Sequence, residues 1–216
     1  MKLAKGDKLV FIGDSITDAG RGRPEGEGLG EALGRGYVPL IDALLGSTYP
    51  EFGIRVVNRG NSGNTVRDLK SRWQEDIIDI KPDWVSIMIG VNDVWRQFDS
   101  PTRPEGHVYI EEFTETLDHL VAITKPLVKG IVLMTPFYME PNKSDGMRAQ
   151  TDNYSKVVAS TAKKHNTLFV DTQAAFDEAL KYYYPATLGW DRVHPNQVGC
   201  MVSARAFLKV IGYEWK

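Results

Sequence analysis

The chain carries a single cysteine, Cys200, among 216 residues, so no internal disulfide can form and a bridge-stapled scaffold is excluded. Cys200 stands beside Val198, Met201 and Val202 on a helical pattern, the setting of an inert core thiol. No apolar run approaches about 18 residues, which excludes a membrane-spanning helix. The opening MKLAKGDKLVFIGD has lysines, but its apolar stretch is too short for a signal sequence, lacks a small-residue cleavage site and runs straight into a strand. A cytoplasmic location is therefore expected. Excess charge is also missing: 26 Lys and Arg against 28 Asp and Glu leave a formal net charge of -2, with no basic footprint for nucleic acid or anionic lipid. Neither linker, internal repeat nor low-complexity tract interrupts the sequence, and 216 residues suit one α/β domain spanning 1–216.

Short apolar runs alternate with longer amphipathic ones. Strands are expected at 9–13, 54–58, 84–90, 130–135 and 167–171, each rich in Val, Ile or Leu and nearly continuous in its apolar character, as burial on both faces requires. Helices are expected at 37–48, 65–77, 109–124, 147–165 and 196–210. In the second of these Val66, Leu69, Trp73 and Ile77 recur at helical spacing behind Thr65, an N-cap with Asp68 three residues on. This alternation predicts a mainly parallel sheet with helices on both faces.

Sheets of that kind bind ligands at the carboxyl ends of their strands. GDS follows the first strand, NRGNSGNT the second and GVNDVW the third, and WDRVHPN lies beyond the fifth strand and a helix. Ser15 would place a hydroxyl at the mouth of the sheet, where it needs a base to become nucleophilic. Of the four histidines, His119 lies within a helix, His165 near a helix end and His107 in a charged loop. His194 differs, because Asp191 precedes it by three residues and Pro195 follows, suited to the first position of the last helix. Carboxylate and imidazole so spaced can meet within one turn and leave the second ring nitrogen to face Ser15. Taken alone, DRVHP equally describes a loop aspartate and a helix-capping histidine. Asn92 offers an uncharged amide donor and Gly63 an unshielded N–H for a developing oxyanion; alone, each also reads as turn chemistry.

In order along the chain, GDS with Ser15, the block around Gly63, GVND with Asn92, and DRVH with Asp191 and His194 resemble the four signature blocks of the SGNH (GDSL-type) hydrolases. The resemblance implies a flavodoxin-like α/β/α sandwich with a five-stranded sheet in the order 2-1-3-4-5. It further implies Ser15 as nucleophile, His194 as base, Asp191 as its partner, and an oxyanion hole of Ser15 N–H, Gly63 N–H and the Asn92 side chain. GDSITDAGRGRPEGEG, VRDLKSRW, PDWVSIMIGVNDVWRQ and MTPFYME also resemble stretches of intracellular acetylxylan esterases. The expected substrate is then a small acetylated saccharide, and the expected reaction needs no metal and no organic cofactor.

Other classes fit less well. The glycine-rich GRGRPEGEGLGEALGRG contains neither GxGxxG nor GxxxxGK[ST], and it starts several residues after the strand, which argues against a nucleotide-binding module. A metallo-phosphoesterase on Asp14, Asn92 and His194 would want more clustered histidines and carboxylates. Within the esterases, a broad short-chain carboxylesterase or a lysophospholipase is the alternative. Trp95, Trp190 and Tyr184 flank the candidate loops, with Tyr182 and Tyr183 beside the last, and offer rings on which a sugar can pack. Residues 20–36 suit either a rim loop or a subunit contact, which leaves a homo-oligomer open.

Overall fold

The computed structural model describes residues 1–215. Strands β1 (Lys8–Gly13), β2 (Arg55–Asn58), β3 (Trp84–Met88), β4 (Gly130–Met134) and β5 (Leu168–Val170) form one parallel sheet in the order β2-β1-β3-β4-β5. Every residue of β3 and β4 is buried, as their continuous apolar sequences require. The α-helices are α1 (Ser15–Asp18), α2 (Tyr37–Thr48), α3 (Val66–Trp73), α4 (Val91–Asp99), α5 (Ile110–Thr124), α6 (Gly146–His165), α7 (Thr172–Ala179) and α8 (Gln197–Val210). From β1 to β2 the chain steps one way across the sheet, and from β2 onward it steps the other way. Right-handed crossovers then put α2 on one face and α3, α5 and α6 on the opposite one. The packing agrees: α2 lies on α8 and α8 on α7, while α3 lies on α5 and α5 on α6. Two helical layers enclose the sheet, which is the α/β/α sandwich expected from sequence. No helix among the described residues is long and apolar enough to cross a membrane.

Three local expectations are corrected. Strand β3 stops at Met88, not at residue 90, because its last pairing with β4 is Met88 to Met134 and Gly90 then turns with φ of 127° to head α4. The stretch 65–77 is α-helical only to Trp73 and continues as one π-turn over Gln74–Ile78, although the Thr65 and Asp68 capping box forms as expected. Pro195 does not begin the last helix. Asn196 caps α8 instead, its Oδ1 accepting the Val198 and Gly199 N–H groups at 3.0 and 3.2 Å, which leaves the proline one residue before the cap.

The end of β1 is a crowded turn. A Cβ on Gly13 would lie 2.3 Å from the Met88 carbonyl oxygen and 2.5 Å from Thr17 Oγ1, so only glycine fits. Asp14 caps α1 by accepting the Ile16 N–H at 2.9 Å. Beneath the adjoining loops Asp93, in the first turn of α4, is fully buried; its Oδ1 accepts the Val66 N–H at 3.0 Å and ties the start of α3 to α4. Its Oδ2 has no hydrogen-bond partner among the described residues.

Burial pushes the pKa of Asp93 up to about 8 and that of Asp14 up to about 7, against the backbone N–H bonds that pull both down. Both groups therefore hold protons in the folded state at pH values where an unfolded aspartate, near 3.8, has lost them. The stability they contribute is present below the unfolded value and lost as pH rises through about 7 and about 8. The thermal midpoint should thus decline across this range. Asp93→Asn keeps an oxygen for Val66 and removes the charge, so its midpoint should stand furthest above that of the wild type at about pH 9, where the loss is complete, and the gap should narrow towards pH 5. Melting curves at several pH values check this; an equal or steeper decline in the variant would contradict it.

Candidate active site

Ser15 is the first residue of α1, raised at the mouth of the sheet by the Gly13 turn and the Asp14 cap. Its Oγ lies 2.8 Å from His194 Nε2, although 179 residues separate the two in sequence. His194 Nδ1 lies 2.6 Å from Asp191 Oδ2. The carboxylate also holds its own turn, its Oδ1 accepting the Val193 and His194 N–H groups at 3.0 and 2.8 Å. Burial alone would raise the Asp191 pKa, but these hydrogen bonds and the nearby imidazole hold it below the ordinary carboxylate range. An ionised Asp191 accepts a hydrogen bond from the His194 Nδ1–H, which leaves the Nε2 lone pair to accept from the Ser15 hydroxyl.

The turn from Asp191 to His194 passes through Arg192, whose φ of 64° lies in the left-handed region. A non-glycine residue stays there only where its surroundings hold it. Arg192 is held by the Glu140 carboxylate, by its N–H to Gly189 O at 2.8 Å, and by its carbonyl, which accepts the Met139 N–H at 2.9 Å. Glu140 stands in the MTPFYME stretch, and nothing in the local sequence marks it as the anchor of the histidine turn.

The segment carrying Gly63 is strapped on three sides. Asn61 N–H donates to Gly13 O at 3.0 Å, and the Ser62 N–H and Oγ both donate to Asp18 Oδ2, at 3.0 and 2.7 Å. Burial would raise the Asp18 pKa, yet Arg23 and Ser62 override it and keep this carboxylate below its ordinary value. From α3, Arg72 donates to Asn64 Oδ1 at 2.7 Å and to Gly13 O at 3.1 Å. Asn92, 2% exposed, donates from Nδ2 to Asn64 O at 3.0 Å. Gly63 itself has φ of 82°, a conformation that a side chain would strain even though the space around it is open. Sequence reasoning found Ser15, Gly63, Asn92, Asp191 and His194, but not the straps Asp18, Arg72 and Asp93. The signals available were weak: Asp18 three residues past Ser15, and Asp93 directly after Asn92.

Of the three aromatics expected at the site, Trp95 meets the triad, its ring centre 5.9 Å from that of His194. Trp190 is 85% exposed directly before Asp191. Tyr184 is exposed as well, and its carbonyl accepts the Thr187 hydroxyl at 2.6 Å. The other histidines have local partners: His107 lies between Tyr109 Oη and Ser100 O, and His165 bonds Asp118 at 2.7 Å, while His119 is exposed on α5. Cys200 is buried, and burial pushes its thiol up to about 11, as an inert core residue requires. Residues 20–36 fold back over the end of β2, where Gly26 O accepts the Asn58 N–H at 2.8 Å and Arg21 Nε donates to Gly60 O at 2.7 Å.

A serine, imidazole and carboxylate in hydrogen-bonded series, beside a glycine loop and a buried amide, is an arrangement suited to acyl transfer. Residues 11–201 match the model of the GDSL-like lipase/acylhydrolase family. The chain is 64% identical over 215 residues to an acetylxylan esterase of Geobacillus stearothermophilus, covering 100% of this chain and 98% of that protein. The crystal structure of Axe2, an acetylxylan esterase from the same organism, matches with a TM-score of 0.99 at 64% identity, over 100% of this chain and 98% of that one. The S15A, D191A and H194A forms of Axe2 are described as catalytic mutants of that enzyme. LAE5, an alpha/beta hydrolase enzyme from the metagenome of Lake Arreo, Spain, matches with a TM-score of 0.99 at 54% identity over the full length of both chains. With a family model spanning most of its length and whole-length relatives at this identity, the chain belongs to the GDSL-like lipase/acylhydrolase family.

Proposed function

We propose that residues 1–216 act as one catalytic domain, a serine esterase that removes acetyl groups from acetylated xylo-oligosaccharides through an acyl-enzyme on Ser15. The observation that carries the chemistry is the unbroken series from Ser15 Oγ to His194 at 2.8 Å and from His194 to Asp191 at 2.6 Å. The substrate class rests on the 64% identity to an acetylxylan esterase along the whole chain. Trp95, Trp190 and Tyr184 are the proposed sugar-facing rings, with Trp95 the best supported because it stands against His194.

In the first half-reaction His194 Nε2 takes the Ser15 proton as Oγ attacks the ester carbonyl. The carbonyl oxygen becomes negative and is held by Ser15 N–H, Gly63 N–H and the Asn92 amide. Collapse breaks the bond to the sugar oxygen, and His194 returns the proton to that leaving alkoxide. In the second half His194 takes a proton from water, the hydroxide attacks the acetyl-serine, and acetate leaves as Ser15 regains its proton. Asp191 stays ionised throughout and balances the imidazolium that forms at each step.

Two assays test this reading. Ser15→Ala should lower kcat by about 10⁵–10⁶ while the protein stays folded, and the Ser15→Ala/His194→Ala pair should be little worse than either single, because the two residues act as one unit. Activity within tenfold of wild type in Ser15→Ala would defeat the nucleophile assignment. For the acyl group, kcat/KM should be highest for acetyl esters and fall through butyryl to near loss at octanoyl, since each added methylene in a pocket sized for methyl costs about 1–3 kcal/mol. A series rising towards octanoyl would hand the function to a carboxylesterase or lysophospholipase and leave the triad in place.

A further inference from the structure

Asn92 works as an oxyanion donor only in one of its two amide orientations. Rotation by half a turn about its last side-chain bond would aim a carbonyl oxygen where the N–H groups must point. Two neighbours act on that choice. Asn64 O, an acceptor only, lies 3.0 Å from Nδ2. On the other side Arg96 Nη2, a donor only, lies 3.3 Å from Oδ1. Residues 92 and 96 are one helical turn apart on α4, so the contact is built into the helix.

Arg96 makes two further contacts. Its guanidinium carbon lies 5.4 Å from the centre of the Trp95 ring, and the group is also bonded to Asp99. A cation so placed does two things to the Asn92 amide. It penalises the flipped orientation, in which two donor groups would face each other and two carbonyl oxygens would meet at Asn64. It also draws electron density towards Oδ1, which makes the Nδ2 hydrogens better donors to a negative oxygen.

We propose that Arg96 is a positioning residue for the esterase reaction, fixing and polarising the Asn92 amide so that its free N–H meets the oxyanion. The proposal rests on the reading of Asn92 as an oxyanion donor. Arg96 touches no reacting atom in this scheme, and Asn64 O still favours the productive orientation without it. Its loss should therefore cost less than loss of the donor itself.

The test is steady-state kinetics on 4-nitrophenyl acetate with Arg96→Met, Arg96→Lys, Asp99→Ala, Asn92→Ala and the Arg96→Met/Asn92→Ala pair, each with a melting curve. Asn92→Ala should lower kcat about 100–1000-fold. Arg96→Met keeps an apolar stem beside Trp95 and should lower kcat about 5–20-fold with KM within about twofold, as expected for an effect confined to the transition state. Arg96→Lys, retaining a donor and the charge, should recover most of that loss. Should Arg96→Met fold poorly, Arg96→Leu, which likewise removes the donor and the charge, carries the same comparison. Asp99→Ala removes the ion pair but not the amide contact and should stay within about twofold of wild type. In the Asn92→Ala background the Arg96→Met factor should shrink below about twofold, because the group it positions is gone.

An unchanged kcat in Arg96→Met overturns the proposal. So does an equal loss in both backgrounds, or a loss matched by Asp99→Ala, which would assign the effect to the ion pair and helix stability. If Asn92→Ala retains full kcat, the oxyanion reading fails first and the proposal with it, an outcome distinct from failure of Arg96 alone.

Discussion

A central strand that must end against its neighbour without a side chain governs this site. β1 is buried between β2 and β3, and its last residue, Gly13, pairs with Met88 so closely that no Cβ has room. The chain cannot run on as a strand past this point, so it turns through Asp14 and starts a helix at Ser15. This is also where the sheet order reverses: from β1 the chain goes to β2 on one side and then back to β3 on the other, and the loops after those strands part. A nucleophile at this position stands between the Gly63 segment after β2 and Asn92 after β3. The fifth strand lies at the far edge of the sheet, so the histidine turn reaches Ser15 only because the chain returns through α7 to the start of α8, on the face that carries α2.

Charged side chains supply many of the hydrogen-bond partners of the loops at this rim. Asp18 accepts from Ser62, Arg72 donates to Asn64 and Gly13, Asp93 accepts from Val66, and Glu140 holds Arg192. Asp18, Asp93 and Glu140 are buried, so removing a donor leaves each carboxylate short of a partner away from water, which makes these straps costly to alter singly. The result is a set of irregular segments tied by several hydrogen bonds to the elements beside them, which is what preorganised donors require.

Much of this was legible in the sequence, for local reasons. The five strands show as apolar runs, and the longer helices as apolar positions at helical spacing; Thr65 and Asp68 announce a capping box that forms. Asp191 and His194 are legible because their spacing puts them in one turn. What was hidden depends on distant partners. Residues 91–99 carry Asn, Asp and two valines, which read as loop, yet Gly90 heads a helix there and Val91 and Val94 bury against the core. The Pro195 expectation failed because Asn196 offers a side-chain oxygen to two N–H groups, and a proline at the first position offers none. Asp18, Arg72, Glu140 and Arg192 look like ordinary surface charges in the sequence, and only the folded loops give each its partner.

Three aspartates near Ser15 show how environment assigns separate tasks to one residue type. Asp191 receives donors from His194 and two backbone N–H groups, and its charge is stabilised despite partial burial. Asp14 and Asp93 are more deeply buried, each with too few donors to offset the loss of water, and their pKa values rise to about 7 and about 8. The carboxylate bonded to His194 is therefore the one of the three with the most donors, and Asp14 and Asp93 lose their protons at higher pH. This ordering matters for the imidazole. Asp14 and His194 attract one another, which lowers the Asp14 pKa from where burial alone would put it. Burial outweighs that attraction, so Asp14 stays largely neutral below about pH 7, while Asp191, bonded to the ring at 2.6 Å, stays ionised to lower pH.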